Sequence, residues 1–437
     1  MPDNKSLLIV GVGNIIERQR PTWQKYRELG IRLVAADVLD TPTGLSALPE
    51  GTPFVNLMLA ESKRQLMALA PFDLCYIATF PRVHLVTAFR FDYFSNGFNF
   101  AKPVDSHLDL LNTMYLEKER IFHSIALKMV VHDHYRNKPV VAALRKGLKT
   151  LHGRYGFIQE MRVYITERKS TEDEWYRKGA LDDGILMDLA PHALSVIFEL
   201  LPTPFSWENK EGHHFNRIGV KLNDIVGCYR ARDNNCILHQ GVETFGVIHI
   251  RGSEDIVFTP KESGKELPLE PHKVDILIAV GKGTSIDRED NPGNLKGVKI
   301  TFDGTTVIGN FDTNGISGVS AGDTKLDLML DAIDVCQGGI NLPFSRLGDL
   351  NLDLEAVRGD QGAALRPFQT FDDAMKVVNI LDNCLKHPTA TNLIHYETGT
   401  TSADVINRIV GDTRWRHPRP LTDLIIGRQV PANEKID

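Results

Sequence analysis

The first sixteen residues restrict the fold more than any other part of the chain. Residues 7–12 read LLIVGV, an unbroken apolar run that closes on glycines. A segment that is apolar at every position suits a strand buried on both faces of a parallel sheet. Parallel strands need crossover connections, usually helices, so the sequence beyond should alternate between strand and helix. It does. Residues 22–29 read as a helix, 31–36 (IRLVAA) as a second buried strand and 72–78 (FDLCYIA) as a third. Residues 83–95 read as a helix and 98–101 as a further extended apolar segment. The pattern predicts an α/β domain, a doubly wound parallel sheet, over residues 1–145.

The turn after the first strand carries G-V-G-N-I-I, Gly11 to Ile16. Strand, G-x-G and helix in that order is the context of a Rossmann dinucleotide fingerprint. Gly11 permits the tight turn. Gly13 lets the backbone approach a pyrophosphate at the helix N-terminus, which Asn14 and Ile15 open. Ile16 stands where the fingerprint has its third glycine. Asp37 ends the second predicted strand, about 20 residues on, where a ribose hydroxyl acceptor belongs. A carboxylate there repels a 2′-phosphate, which favours NAD, whereas Arg18 and Arg20 keep NADP open. After the next strand comes A-T-F-P-R-V-H, Ala78 to His84. This turn, with Thr79, Pro81 and His84, suits a loop passing under the nicotinamide ribose.

Beyond residue 145 the texture changes. Alternating segments occur at 156–166, 216–231, 244–251, 273–280 and 297–302, with turn-rich stretches between them. They predict an α+β domain over 146–437 built on a large, mostly antiparallel sheet. Helices are expected at about 188–200, 323–335 and 371–386, and a charged surface loop at 284–295.

Composition excludes several classes. A net charge of -6 gives no basic field for nucleic acid or anionic lipid. No stretch reaches the ~18 apolar residues of a membrane span, and the N-terminus is too polar for a signal peptide. A cytoplasmic location is expected. The five cysteines show no C-x-x-C spacing, and His213, His214, Asp224, Cys228 and His239 have no ligand register, so no metal is expected.

Taken in order, G-x-G, a strand ending in Asp, A-T-F-P-x-x-H and A-K-P resemble the Gfo/Idh/MocA sugar and inositol dehydrogenases, with Ala101 where those have the Glu of E-K-P. The segment D-H-Y-R-N-K, Asp133 to Lys138, resembles the D-H-Y-x-x-K motif of the related glucose-6-phosphate dehydrogenases. Asp188 and His192 match the D-x-x-x-H motif of the first group, whereas the second has Asn-His in place of Pro191-His192. The resemblance implies an NAD(P)-dependent oxidoreductase acting on an alcohol carbon of a sugar, sugar phosphate or cyclitol, and a homodimer or homotetramer paired through the large sheet. It implies Lys102 as a charged donor to the reacting oxygen or the nicotinamide ribose. It also implies His134, Tyr135 and Lys138 as ligands of a sugar phosphate.

Oxidising an alcohol needs a base with a pKa near working pH, which favours His192. Proline belongs in a first helical turn, so Pro191 places Asp188 at or near an N-cap with His192 at the mouth of the helix. Asp133 and Asp188 compete as the group that orients the imidazole. The alternatives are a non-catalytic dinucleotide sensor, suggested by Ile16 and Ala101, and a reductase of a non-sugar carbonyl.

Overall fold

A computed structural model describes residues 5–80, 83–101, 129–133, 135–136, 138–167, 184–201, 204–233, 243–282, 296–320, 369–391, 393–396 and 419–420. The chain divides into two compact units, Met1–His134 with Leu342–Asn379 and Tyr135–Asn341 with Ile380–Asp437.

The first unit is built on strands β1 (Ser6–Val10), β2 (Arg32–Asp37), β3 (Phe54–Asn56), β4 (Leu74–Ile77), β5 (Phe98–Ala101) and β6 (Met129–His132). They are parallel, in the order β3-β2-β1-β4-β5-β6. The late strand β16 (Gln369–Thr370) adds an antiparallel edge beside β6. All five β1 residues are buried. The pleat sends alternate ones to opposite faces. Leu8 and Val10 join Val34, Cys75, Ile77, Phe98 and Phe100 in one core, with Leu66, Leu85 and Phe91 from the crossovers. Leu7 and Ile9 join Leu33, Leu74, Trp23 and Tyr26 in the other. Each fully buried aliphatic side chain contributes about 1.5–3 kcal/mol, so the LLIV run favours a central position in the sheet. The helices are α1 (Asn14–Arg18), α2 (Arg20–Glu28), α3 (Ser62–Leu69) and α4 (His84–Phe91). Strand order reverses at β1 and β4, and ligands of such sheets bind at the carboxyl ends of those strands.

The second unit opens with α5 (Pro139–Tyr155), so the expected boundary near 145 falls inside a helix; the division comes earlier, before Tyr135. Its mixed sheet runs β15-β14-β13-β7-β12-β10-β9-β17. These are β7 (Ile158–Glu167), β9 (His214–Asp233), β10 (Phe245–Thr259), β12 (His272–Lys282), β13 (Lys296–Phe302), β14 (Thr305–Asn310), β15 (Ile316–Ser320) and β17 (Leu393–Tyr396). Short strands β8 (Phe205–Glu208), β11 (Leu267–Pro268) and β18 (Arg419–Pro420) pair at its margins. The pairing is antiparallel except for β7–β12 and β9–β17. Helix α6 (Ile185–Leu200) packs on β7, β10 and β12, whose Met161, Val163, Ile165, Ile276, Ile278 and Val280 are buried. The expected helix at 323–335 and loop at 284–295 lie outside the described residues, whereas α7 (Phe371–Leu385) matches its expectation. Among the described residues, no helix is long and apolar enough to cross a membrane.

One end of this unit carries an ionisable group in an apolar cage. His152 of α5 is 1% exposed, with the Phe205, Trp207 and Phe302 rings at 5.1, 4.9 and 5.4 Å. Burial first, then the Arg217 and His272 charges, pushes its pKa down to about 3. Below the ordinary histidine range the unfolded chain takes up a proton that the folded state refuses, so stability is present above about pH 6.5 and is lost as pH falls towards 3. Chemical denaturation at stepped pH should show a slope of up to about 1.4 kcal/mol per pH unit from this group. His152→Phe should flatten that component, and an unchanged profile would contradict the assignment.

Candidate active site

In the first unit the site begins with Gly11, which has φ +86°. A side chain there is strained, and its Cβ would lie 2.8 Å from both Ala78 C and Thr79 N. Glycine is therefore what allows the β1–α1 loop and the loop after β4 to touch at the reversal of strand order. Gly13 is the N-cap of α1, and a Cβ added there would meet nothing within 4 Å. Asp37, the last residue of β2, accepts from the Val12 N–H at 2.6 Å through one carboxylate oxygen and from the Leu39 N–H at 3.0 Å through the other. The carboxylate thus fixes the loop from inside the protein while each oxygen retains acceptor capacity.

Ile16, in place of the third glycine, is fully buried. The small residue stands across the contact instead. A Cβ on Gly44 would lie 2.9 Å from Ile16 Cβ and 2.5 Å from Gly13 O. Gly44 N–H also donates to Val12 O at 2.9 Å. Close packing behind the loop is therefore preserved with the partners exchanged, which the motif alone does not reveal. Asn14 is exposed and its Oδ1 accepts from Thr43 Oγ1. Ile15 packs on the Trp23 core. Arg20 is bound to Ser46 O and Oγ.

Thr79 follows β4, and its buried Oγ1 has no hydrogen-bond partner among the described residues. His84 departs from its expected place beside a ligand. It is fully buried at the start of α4, with Nε2 at 3.0 Å from Thr79 O and its ring 5.8 Å from Phe100. It braces the loop from behind because the apolar face of α4 turns it into the core. Pro81, Lys102 and His134 lie outside the described residues.

In the second unit α6 starts earlier than the proline rule suggests. Gly184 is the N-cap, and Pro191 lies inside the helix. Asp188 is therefore in the first turn and not at the N-cap; its N–H donates to Gly184 O at 3.2 Å. The cap is Glu243, which no local pattern predicts because it is 57 residues away: Oε1 accepts from Leu186 N–H at 3.0 Å. Arg230 holds the other oxygen at 2.9 Å. A carboxylate at a helix N-terminus satisfies an open donor and favours the helix dipole. Ile185, Leu186 and Met187 are buried, which offsets the interior proline. His192 is 3% exposed and lies one turn after the half-buried Asp188 on the same helix face. Asp133 is buried in the first unit.

Tyr135 and Lys138, the expected phosphate ligands, both have contacts within the second unit. Tyr135 is 4% exposed, with its ring 4.9 Å from the His192 ring and 5.4 Å from Phe311. Lys138 Nζ donates to Phe311 O at 2.6 Å and lies 5.3 Å from the Tyr135 ring centroid. Burial lowers its pKa, Asp312 raises it and Lys296 lowers it.

The fold, a dinucleotide-type parallel sheet in one unit and a large mixed sheet in the other, is shared with solved structures of oxidoreductases. Three solved structures show the likeness. The oxidoreductase from Sinorhizobium meliloti has a TM-score of 0.58 at 14% identity, over 89% of this chain and 98% of that one. The WlbA dehydrogenase from Bordetella pertussis, in complex with NADH and UDP-GlcNAcA, has 0.54 at 16%, over 89% and 97%. The myo-inositol dehydrogenase from Corynebacterium glutamicum has 0.51 at 12%, over 89% and 98%. Neither a protein-family profile nor a curated protein sequence matches the chain.

The loop geometry predicts an asymmetry between its glycines. Gly11→Ala should destabilise the protein by about 1–3 kcal/mol in denaturant unfolding, whereas Gly13→Ala should fall within about 1 kcal/mol of the parent. Equal stability of the two variants would contradict the close approach at Gly11.

Proposed function

We propose that the protein is an NAD-dependent oxidoreductase that exchanges a hydride with an alcohol carbon of a sugar, sugar phosphate or cyclitol. The observation that carries this reading is the Gly11–Asp37 arrangement: an open G-x-G turn at the reversal of strand order, fixed by a strand-end carboxylate. The fit to a dinucleotide is chemical as well as geometric. Gly13 leaves room for a pyrophosphate, Thr79 Oγ1 is a buried hydroxyl that lacks a partner among the described residues, and Asp37 retains lone pairs for ribose hydroxyls. Residues 38–40 are Val, Leu and Asp, so no cation follows Asp37 to receive a 2′-phosphate, and Arg20 is already bound. The similar WlbA dehydrogenase was solved with NADH.

Bound NAD supplies the acceptor for the hydride leaving the alcohol carbon. His192 takes the hydroxyl proton as the C–H bond breaks, so the alcohol loses two electrons and two hydrogens and becomes a carbonyl. Asp188, or Asp133 in its stead, holds the imidazole in the tautomer that can accept. Lys102 stabilises charge developing on the substrate oxygen. In the reverse direction His192 returns the proton.

The test is an NAD-linked assay with myo-inositol, D-glucose and glucose 6-phosphate. At least one should be oxidised, and His192→Ala should lower turnover by about 100-fold or more, as loss of a general base does, while NADH affinity stays within about twofold. Turnover that survives in His192→Ala removes the base assignment. Nucleotide binding without oxidation of any of these alcohols would favour the non-catalytic sensor or a reductase of a different carbonyl.

A further inference from the structure

We infer that Tyr135, Lys138 and Phe311 are positioning residues for the His192 imidazole rather than ligands of a phosphorylated substrate. This deepens the reading of His192 as the base and rests on it. The motif to which Tyr135 and Lys138 belong suggests the phosphate role. Their surroundings oppose it.

The Tyr135 ring has rings on two sides. His192 lies at 4.9 Å with the planes 54° apart, and Phe311 lies at 5.4 Å in an edge-to-face arrangement, 67° apart. Both separations fall within the range of attractive aromatic pairs. Phe311 is fully buried and Tyr135 nearly so, leaving little ring surface for a solute. Lys138 then ties Phe311 to the middle ring of the stack. Its ammonium donates to the Phe311 carbonyl at 2.6 Å and stands 5.3 Å from the centre of the Tyr135 ring, within cation–π reach. A phosphate ligand would present its ammonium to a site; this one faces a backbone carbonyl and a ring.

The anchors of the stack are independent in sequence. Tyr135 and Lys138 precede and cap α5, Phe311 follows β14, and His192 belongs to α6. The turn that carries Phe311 is itself fixed, because Asn310 Oδ1 accepts from the N–H groups of Asp312 and Thr313 at 2.9 and 3.0 Å. Its Asn314 has φ +53°. The imidazole is thus located by a chain of contacts from a hairpin turn, through Tyr135, to the helix that bears it. A base on a helix with an interior proline gains from such external support, since a misplacement of about 1 Å can cost about 100-fold in rate.

The test compares full-length Tyr135→Leu, Tyr135→Phe and Lys138→Met proteins, each labelled with 13C at histidine Cε1. The His192 resonance is assigned by its loss in His192→Gln. Tyr135→Leu should move that resonance by removing the ring current, and Tyr135→Phe should leave it near its original position. Lys138→Met should move it too, and this variant carries the test if Tyr135→Leu does not fold. In kinetics on whichever of myo-inositol, D-glucose or glucose 6-phosphate is oxidised, Tyr135→Leu and Lys138→Met should lower kcat by about tenfold or more with KM within about twofold, and Tyr135→Phe should restore kcat. An unmoved His192 resonance in the folded variants overturns the inference. So does a KM for glucose 6-phosphate that rises in Lys138→Met at constant kcat, which returns the lysine to phosphate binding. If no alcohol is oxidised by the parent protein, the reading of His192 as base fails, whereas the resonance comparison still decides whether the stack locates the ring.

Discussion

The hydrogen bond from the Val12 N–H to the Asp37 carboxylate, 2.6 Å long and buried, is the interaction on which the N-terminal site depends. It ties the loop after the first strand to the end of the second. With that tie in place, Gly11 adopts its positive φ, the loop lies against Ala78 and Thr79, and the helix begins at Asn14. The same carboxylate also holds Leu39. Asp37 is therefore a structural anchor, and the role proposed for it beyond that is ribose acceptor. The two roles are compatible because an ionised carboxylate has about four acceptor positions and the backbone takes two. A neutral amide in its place has one oxygen and could not receive both N–H groups in the same way.

The second unit places helix α6 by a different device. Proline in a helix interior removes one hydrogen bond, crowds the preceding turn and costs about 3 kcal/mol or more. Helix α6 accepts this because nearly every side chain on it is buried against the sheet and because Glu243, fixed by Arg230, closes its N-terminus. Ser195 Oγ donates to the Pro191 carbonyl at 2.9 Å, a back-bond that accompanies helix bending. Asp188 thus sits in the first turn of the helix, with His192 one turn further in. A fixed position there suits the general base proposed for His192, whose rate advantage would depend on geometry as well as on pKa.

Much of this was legible in the sequence where a pattern is local. The LLIV run, the G-x-G turn and the position of Asp37 each follow from residues within a few places of one another, and the strands they imply are found at Ser6–Val10 and Arg32–Asp37. The alternating segments of the C-terminal half likewise become β7, β9, β10, β12 and β13, with the longer β9–β10 pair interrupted by bulges that hide its full extent from a strict period of two. What escaped was non-local. Proline statistics put the helix start near Asp188, because nothing nearby announces that Glu243 caps the helix at Gly184. His84 looked available to a ligand until the apolar face of α4 turned it inward. Gly44 replaces the missing third glycine from the other side of the contact. The motif that contains Tyr135 and Lys138 does not show Phe311, which comes from a distant hairpin and packs against both. The structural likenesses, to oxidoreductases that include a myo-inositol dehydrogenase, carry the fold.

The central claim, that the Asp37-anchored loop is an NAD site, is tested most directly by titrating the purified protein with NADH and with NADPH and following nicotinamide fluorescence. Saturable NADH binding is expected, with NADPH binding at least about tenfold weaker, the difference of about 1.4 kcal/mol that one unfavourable charge contact gives. Preference for NADPH would contradict the role given to Asp37, and binding of neither nucleotide would contradict the site itself.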